Sequence, residues 1–207
     1  MKADTNKLLT IDHFKLALFD LLSKEDIDNI GINDLCRRAG YSKQTFYRYF
    51  ENKTDFINQL ISDEIVLYQE IIEQTVKSFG GSIRTDEDIK KIRMATFNHI
   101  YKRRIYYKNL FKYACFRDFR IALVEFLKQN DKLPIFTFAN NAVSDIDYLN
   151  YVCSYFHYGT IDFWVNENFA HSVEEIVDIF YQTLKGIGFV SLNALGINYD
   201  NIHKNIC

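Results

Sequence analysis

Apolar residues recur three and four positions apart along almost the whole chain, the spacing of one helix face. Ile11, Phe14, Leu18 and Leu21 form such a stripe and predict a first helix. Leu35 and Ala39 are four apart, Gly40 follows, and Phe46 and Phe50 are again four apart. This reads as a short helix, a glycine turn and a second short helix. Ile57, Leu60, Ile61, Ile65, Tyr68, Ile72 and Val76 continue as a long helix to about Phe79, where Gly80-Gly81 ends it. Thr85 with Asp88 opens a fifth helix reaching about Lys102, and residues 105–129 hold two more. Pro134, the lone proline, and the polar 140–145 stretch mark a loop. A helix follows from Asp145 to Asn166, and Ser172 with Glu175 forms a capping box that opens the last one. No stretch alternates as a strand would. The expected fold is all-α, with about nine helices: a three-helix N-terminal head and a larger C-terminal helical bundle.

The turn at Gly40 has a chemical meaning. Glycine tolerates the positive φ that ends a helix and reverses the chain. Ser42 is placed to cap the next helix, with Lys43 at its first position. Burying Phe46 and Phe50 leaves Gln44, Thr45, Tyr47 and Arg48 facing outward. A short helix bearing amide, hydroxyl and basic groups, braced by a preceding helix, is the helix-turn-helix arrangement for a DNA major groove. Gln44 and Thr45 lie where side chains reach base edges. Asn52 caps the following helix and Asp55 sits in its first turn. Lys53 at that end is placed as a phosphate clamp. The expected DNA-binding set is Arg37, Ser42, Lys43, Gln44, Thr45, Tyr47, Arg48, Tyr49 and Lys53.

Charge sharpens this picture. The 207 residues carry a net charge of −2, which argues against indiscriminate nucleic-acid binding. From 37 to 53, however, five basic residues oppose the single acid Glu51, while nine acids outnumber three basic residues from 129 onward. A local positive patch on a mildly acidic body suits a selective DNA binder. The chain opens on polar residues with no apolar leader, and no run approaches a membrane span, so a cytoplasmic location and no membrane partner are expected. Cys36, Cys115, Cys153 and Cys207 form no CxxC pair and read as reduced thiols. His13, His99, His157, His171 and His203 are dispersed. Without a phosphate loop, nucleophile elbow or metal-ligand spacing, neither an enzyme nor a metal or cofactor is expected.

The run from Ala39 through Tyr41, Ser42, Thr45, Phe46, Tyr47 and Phe50 to Lys53 resembles the signature of the tetracycline-repressor (TetR) family, Ala-Gly-Val-Ser-x-Gly-Thr-Leu-Tyr-x-His-Phe-x-x-Lys. The likeness covers roughly residues 8 to 68, and Tyr155 to Leu184 resembles the C-terminal domain of one subgroup. It implies a homodimer that binds a palindromic double-stranded operator through the head, with a pocket for a small-molecule effector in the C-terminal domain. It also implies that Tyr47 contacts the DNA backbone. Gly31, Tyr41, Gln44 and Tyr49 depart from the family's usual Thr or Ser, small aliphatic, Gly and His; these changes bear on which operator is read. The corresponding domains are 1–52, with the linking helix extending the head to about 68, and 53–207.

The last two helices are apolar on nearly every side, which calls for cover on two sides: the subunit's own core on one and a second copy on the other, with a thick monomer core as the alternative. The expected dimer interface comprises Tyr158, Val165, Ile176, Ile179, Phe180 and Ile187; Ile179 and Phe180 should face opposite ways. Residues 89–120 hold ten basic residues against one acid, interleaved with aromatics. They read as a solvated face over an aromatic core, or as part of an effector pocket. The expected pocket residues are Phe97, Tyr101, Phe111, Phe116, Tyr151, Tyr155 and Trp164. A ligand-responsive repressor is the leading reading; a coactivator or adaptor whose head meets a protein instead of DNA is the alternative.

Overall fold

The fold was obtained as a computed structural model, which describes residues 2–81, 85–130 and 146–194, with side chains placed for 6–81, 85, 87–130 and 151–184. Pro134 and the polar 140–145 stretch lie outside the described residues. Nine α-helices are seen among them: α1 (Lys2–Leu22), α2 (Ile32–Ala39), α3 (Lys43–Tyr47), α4 (Lys53–Ser78), α5 (Asp86–Lys102), α6 (Arg104–Lys112), α7 (Arg117–Asn130), α8 (Ile146–Asn166) and α9 (Val173–Ala194). A 3₁₀ turn, Ala114–Phe116, precedes α7. None of the described helices is long and apolar enough to cross a membrane.

The elements end where the local chemistry tells them to. Gly40 at φ 78 closes α2, and Gly80 and Gly81, at φ 93 and 81, follow α4. Thr85 and Asp88 exchange backbone-to-side-chain hydrogen bonds of 3.1 and 3.0 Å to open α5. Ser172 and Glu175 do the same for α9, at 3.2 and 2.8 Å.

The chain packs as two compact units, residues 1–66 with 109–120, and 67–108 with 121–207. The division falls within α4, α6 and α7. The first unit therefore runs past residue 52 and takes in a segment more than forty residues further along. Its centre is a group of phenylalanines, Phe14, Phe46, Phe50 and Phe56, each no more than 2% exposed. Ring centroids lie 5.4 Å apart for Phe14–Phe46, 5.2 Å for Phe46–Phe50 and 4.7 Å for Phe50–Phe56, in tilted and edge-on contacts that favour aromatic pairs. Phe116 joins this unit edge-on against Phe19, and the Arg120 guanidinium donates to the carbonyls of Leu110, Phe111 and Tyr113.

The second unit is built on α5, α8 and α9, with Phe97, Trp164, Ile176 and Phe180 buried. His157 stacks on Phe97 at 5.7 Å and lies 3.3 Å from the Tyr68 hydroxyl, a polar contact wholly inside the core. Arg93 is also buried, its guanidinium 5.5 Å from the centre of the Phe180 ring.

Candidate nucleic-acid interface

The helix-turn-helix is assembled by α1, α2 and α3. Leu35 is buried, and Phe46 anchors α3 from beneath. The Tyr41 amide donates to the Cys36 carbonyl (2.9 Å), completing the glycine cap of α2. Ser42 then caps α3: its hydroxyl accepts from the Thr45 amide at 3.1 Å. With Phe46 wholly buried, Lys43, Gln44, Tyr47 and Arg48 are exposed, Tyr47 by 54%, and Thr45 and Tyr49 are half-buried. Thr45 also spends its hydroxyl on that of Ser42 (3.0 Å).

Two expected DNA-binding residues have structural partners that their positions in sequence do not announce. Arg37 is exposed but pairs with Asp34 at 2.6 Å, and Asp34 also accepts from the Gly31 amide. Asp34 thus supplies part of the α2 cap that glycine, lacking a side chain, does not. Lys53 turns its ammonium to the carbonyls of Ile27 and Ile30, at 2.5 and 2.8 Å. Two of its three donors brace the loop before α2, leaving one for a phosphate. Around the start of α4, the Asp55 amide donates to the Asn52 side chain and the Glu51 amide to the Asp55 carboxylate.

Further contacts fix the frame. Arg38 and Lys24 both bond Asp20, at 2.6 and 2.8 Å, tying α1 to α2. Hydrogen bonds from Arg38 first, and Lys24 second, hold the Asp20 carboxyl at about 2, below the ordinary 3.8. A folded-state value below the unfolded one stabilises above the unfolded value, and that contribution is lost as pH falls through 3.8 towards about 2. Asp20→Asn should therefore lower the thermal midpoint at neutral pH and flatten its decline between these two values. An unchanged acid profile in a thermal scan would remove Asp20 from this role. Lys15, only 5% exposed, pairs with Asp63 at 3.1 Å and joins α1 to α4. His13 and Tyr41 also meet; neither partner's position signals the other, since they are 28 residues apart.

The residues expected in the effector pocket fall in both units. Phe111 and Phe116 belong to the first unit, where Phe111 meets Phe119 and Phe116 meets Phe19. In the second unit, Phe97, Tyr101 and Trp164 form one cluster: Tyr101 stacks on Trp164 at 5.9 Å and Phe97 lies 5.5 Å from it. Phe169, held at φ 60, closes on Trp164 at 4.9 Å. Tyr151 and Tyr155 pair on the surface of α8 under Lys128, which lies 4.9 Å from the first ring and 5.6 Å from the second.

The expected dimer residues also divide. Val165, Ile176 and Phe180 are 5, 0 and 1% exposed and belong to the unit's own core, because the turn of α8 and α9 points them inward. Ile179 is 42% exposed, opposite in character to Phe180, and Tyr158 is half-buried. The side chain of Ile187 lies outside the described residues. The outer face holds Tyr151, Val152, Tyr155 and Phe163 of α8 with Ile179 of α9, each at least 37% exposed. Gly159, Phe163 and Ile179 border a groove of about 380 Å³ there. A Cβ added at Gly159 would meet no atom outside its own helical surroundings within 4 Å.

Comparison with known proteins agrees with this architecture. Residues 17–60 match the family model described as bacterial regulatory proteins of the tetR family, and residues 87–186 match that of a transcriptional regulator C-terminal region. No curated protein matches in sequence. Among solved structures, a protein from Syntrophomonas wolfei described as a TetR-family transcriptional regulator superposes with a TM-score of 0.65 at 18% identity, covering 90% of this chain and 96% of that one. The fatty acid degradation regulator FadR from Bacillus halodurans gives 0.60 at 13%, covering 84% and 94%. The dihydroxyacetone kinase operon activator DhaS gives 0.57 at 15%, covering 86% and 96%. These structures share the fold. The head, the C-terminal region and the fold together make this chain a DNA-binding transcriptional regulator of the TetR family.

Proposed function

We propose that the chain acts in the cytoplasm as a homodimeric repressor, released from a palindromic operator by a small-molecule effector. The exposed set Lys43, Gln44, Tyr47 and Arg48 on a capped, core-anchored α3 carries the reading, because it offers amide and basic donors at the height of base edges and phosphates. The apolar outer face of α8 and α9 supports pairing of two copies. Two heads so joined address half-sites about 34–36 Å apart. Of the expected effector contacts, Phe97, Tyr101 and Trp164 form the site, with Tyr68 and His157 as its polar members. An aromatic or anionic effector entering there repacks α8 and changes the spacing of the heads.

The test is selection of duplexes from a randomised pool, followed by titration at several salt concentrations. The expected product is a palindrome. Gln44→Ala should then cost about 1–3 kcal/mol on the selected duplex and little on random DNA; equal losses on both would remove Gln44 from base reading. Lys53→Ala should lower the salt slope by about one unit. Because Lys53 also braces two carbonyls, the slope and not the affinity decides whether it touches phosphate. A chain that enriches no duplex is an adaptor instead.

A further inference from the structure

Tyr41 is the single residue between the left-handed Gly40 that ends α2 and the Ser42 cap that begins α3. Its backbone is fixed by the amide bond to Cys36. Its side chain leaves the turn and reaches back to α1. There the ring lies 5.4 Å from Phe14 and stacks on His13 at 5.8 Å, 29° from parallel. The hydroxyl lies 3.0 Å from His13 Nδ1, within hydrogen-bond range. Both residues are half-buried.

We propose that Tyr41, clamped by His13, is a positioning residue that sets the entry of the recognition helix and thereby the selectivity of operator reading. The geometry gives the reason. Phe46 fixes the depth of α3 from its far end, since it packs on Phe14. A second fixed point at the near end is needed to set the tilt of a helix only five residues long. Ser42 and Thr45 bond each other and so define α3 internally, without relating it to α1. The His13–Tyr41 bond supplies that relation. Base-edge hydrogen bonds weaken steeply with misalignment, whereas contacts to phosphate by long basic side chains adapt. Loss of the clamp should therefore weaken reading of the selected sequence more than attachment to DNA at large. The inference rests on operator reading by α3.

The experiment compares Tyr41→Phe, His13→Leu, their double variant and His13→Asn on a duplex selected by the wild-type chain and on random duplex, with thermal midpoints recorded alongside. Phenylalanine keeps the ring and removes only the hydroxyl. Asparagine keeps a polar atom near the place of Nδ1. Tyr41→Phe and His13→Leu should each lower the affinity ratio of selected to random DNA by roughly 3- to 10-fold, the worth of one hydrogen bond, with the salt slope unchanged. The double variant should be no worse than either single one, as for two members of one contact. His13→Asn should stay within about twofold of wild type. Additive losses, an unchanged ratio, or a ratio that follows the thermal midpoint alone would overturn the proposal. A shallower salt slope with Tyr41→Phe would make the phenol a phosphate contact and overturn it too. A wild-type chain that enriches no duplex overturns operator reading itself, whereas enrichment with an unaffected Tyr41→Phe overturns only the clamp.

Discussion

Ile179→Lys should leave each subunit folded and separate the two copies, while Phe180→Lys, one residue later, should unfold the second unit. The two positions differ in environment, not in hydrophobicity. Ile179 is 42% exposed on the outer face of α9, so a lysine there keeps its charge in water within a single subunit. In the proposed dimer the same ammonium would be buried against the partner, a cost that association cannot absorb. Phe180 is 1% exposed, beneath the Arg93 guanidinium and beside Phe97, Phe156 and His157. Removing its ring costs roughly 3–5 kcal/mol in packing, before the buried charge is counted. Sedimentation should give a monomer for Ile179→Lys with unchanged helicity. Its operator affinity should fall by about 10²-fold or more, because the second head no longer binds as part of one molecule. A wild-type chain that sediments as a monomer at micromolar concentration, yet binds a single half-site tightly, would sink the dimer and the effector mechanism built on it.

The contrast between these neighbours shows what sequence conveys well. Wherever a residue's role is fixed within one helix or one turn, it was legible. Gly40, Ser42, the Thr85–Asp88 pair and the Ser172–Glu175 pair act over five residues or fewer, and each does what its spacing implies. The inward phase of Phe46 and Phe50 follows from the same local arithmetic. Wherever the role depends on a distant partner, the sequence was silent. The position of Lys53 at a helix start implies a phosphate ligand, and nothing in it points to the carbonyls of Ile27 and Ile30, 26 and 23 residues back. Aromatic content at 97–119 and 151–164 suggested one pocket, but composition does not say which turn of which helix a ring occupies. The inclusion of residues 109–120, with Phe111 and Phe116, in the first unit has no local signature. On α8 and α9, apolar residues all round hid the periodicity that would have separated Val165, Ile176 and Phe180 from the outer face.

Phe46→Ala should abolish operator binding by melting the head while leaving the second unit folded. Phe46 has no exposed surface and touches Phe14, Phe50 and Phe56, with centroids 5.2–5.9 Å away. It is the buried side chain of α3, since Lys43, Gln44 and Tyr47 on the same helix face outward. Alanine there removes about 3–5 kcal/mol of burial and cavity energy, and the edge-on aromatic contacts with it. A domain's entire margin is roughly 5–15 kcal/mol, so the head loses about a fifth or more of what keeps it folded. The second unit has its own core in Phe97, Trp164, Ile176 and Phe180 and does not share that loss. Circular dichroism on heating should then show two transitions, the earlier one accounting for the helices of the head. Phe46→Leu, which keeps a large apolar side chain at the position, should restore most of the midpoint and most of the DNA binding. If Phe46→Ala melts in one step at the wild-type midpoint, or binds the selected duplex as tightly as before, the phenylalanine cluster is not what holds the recognition helix in place.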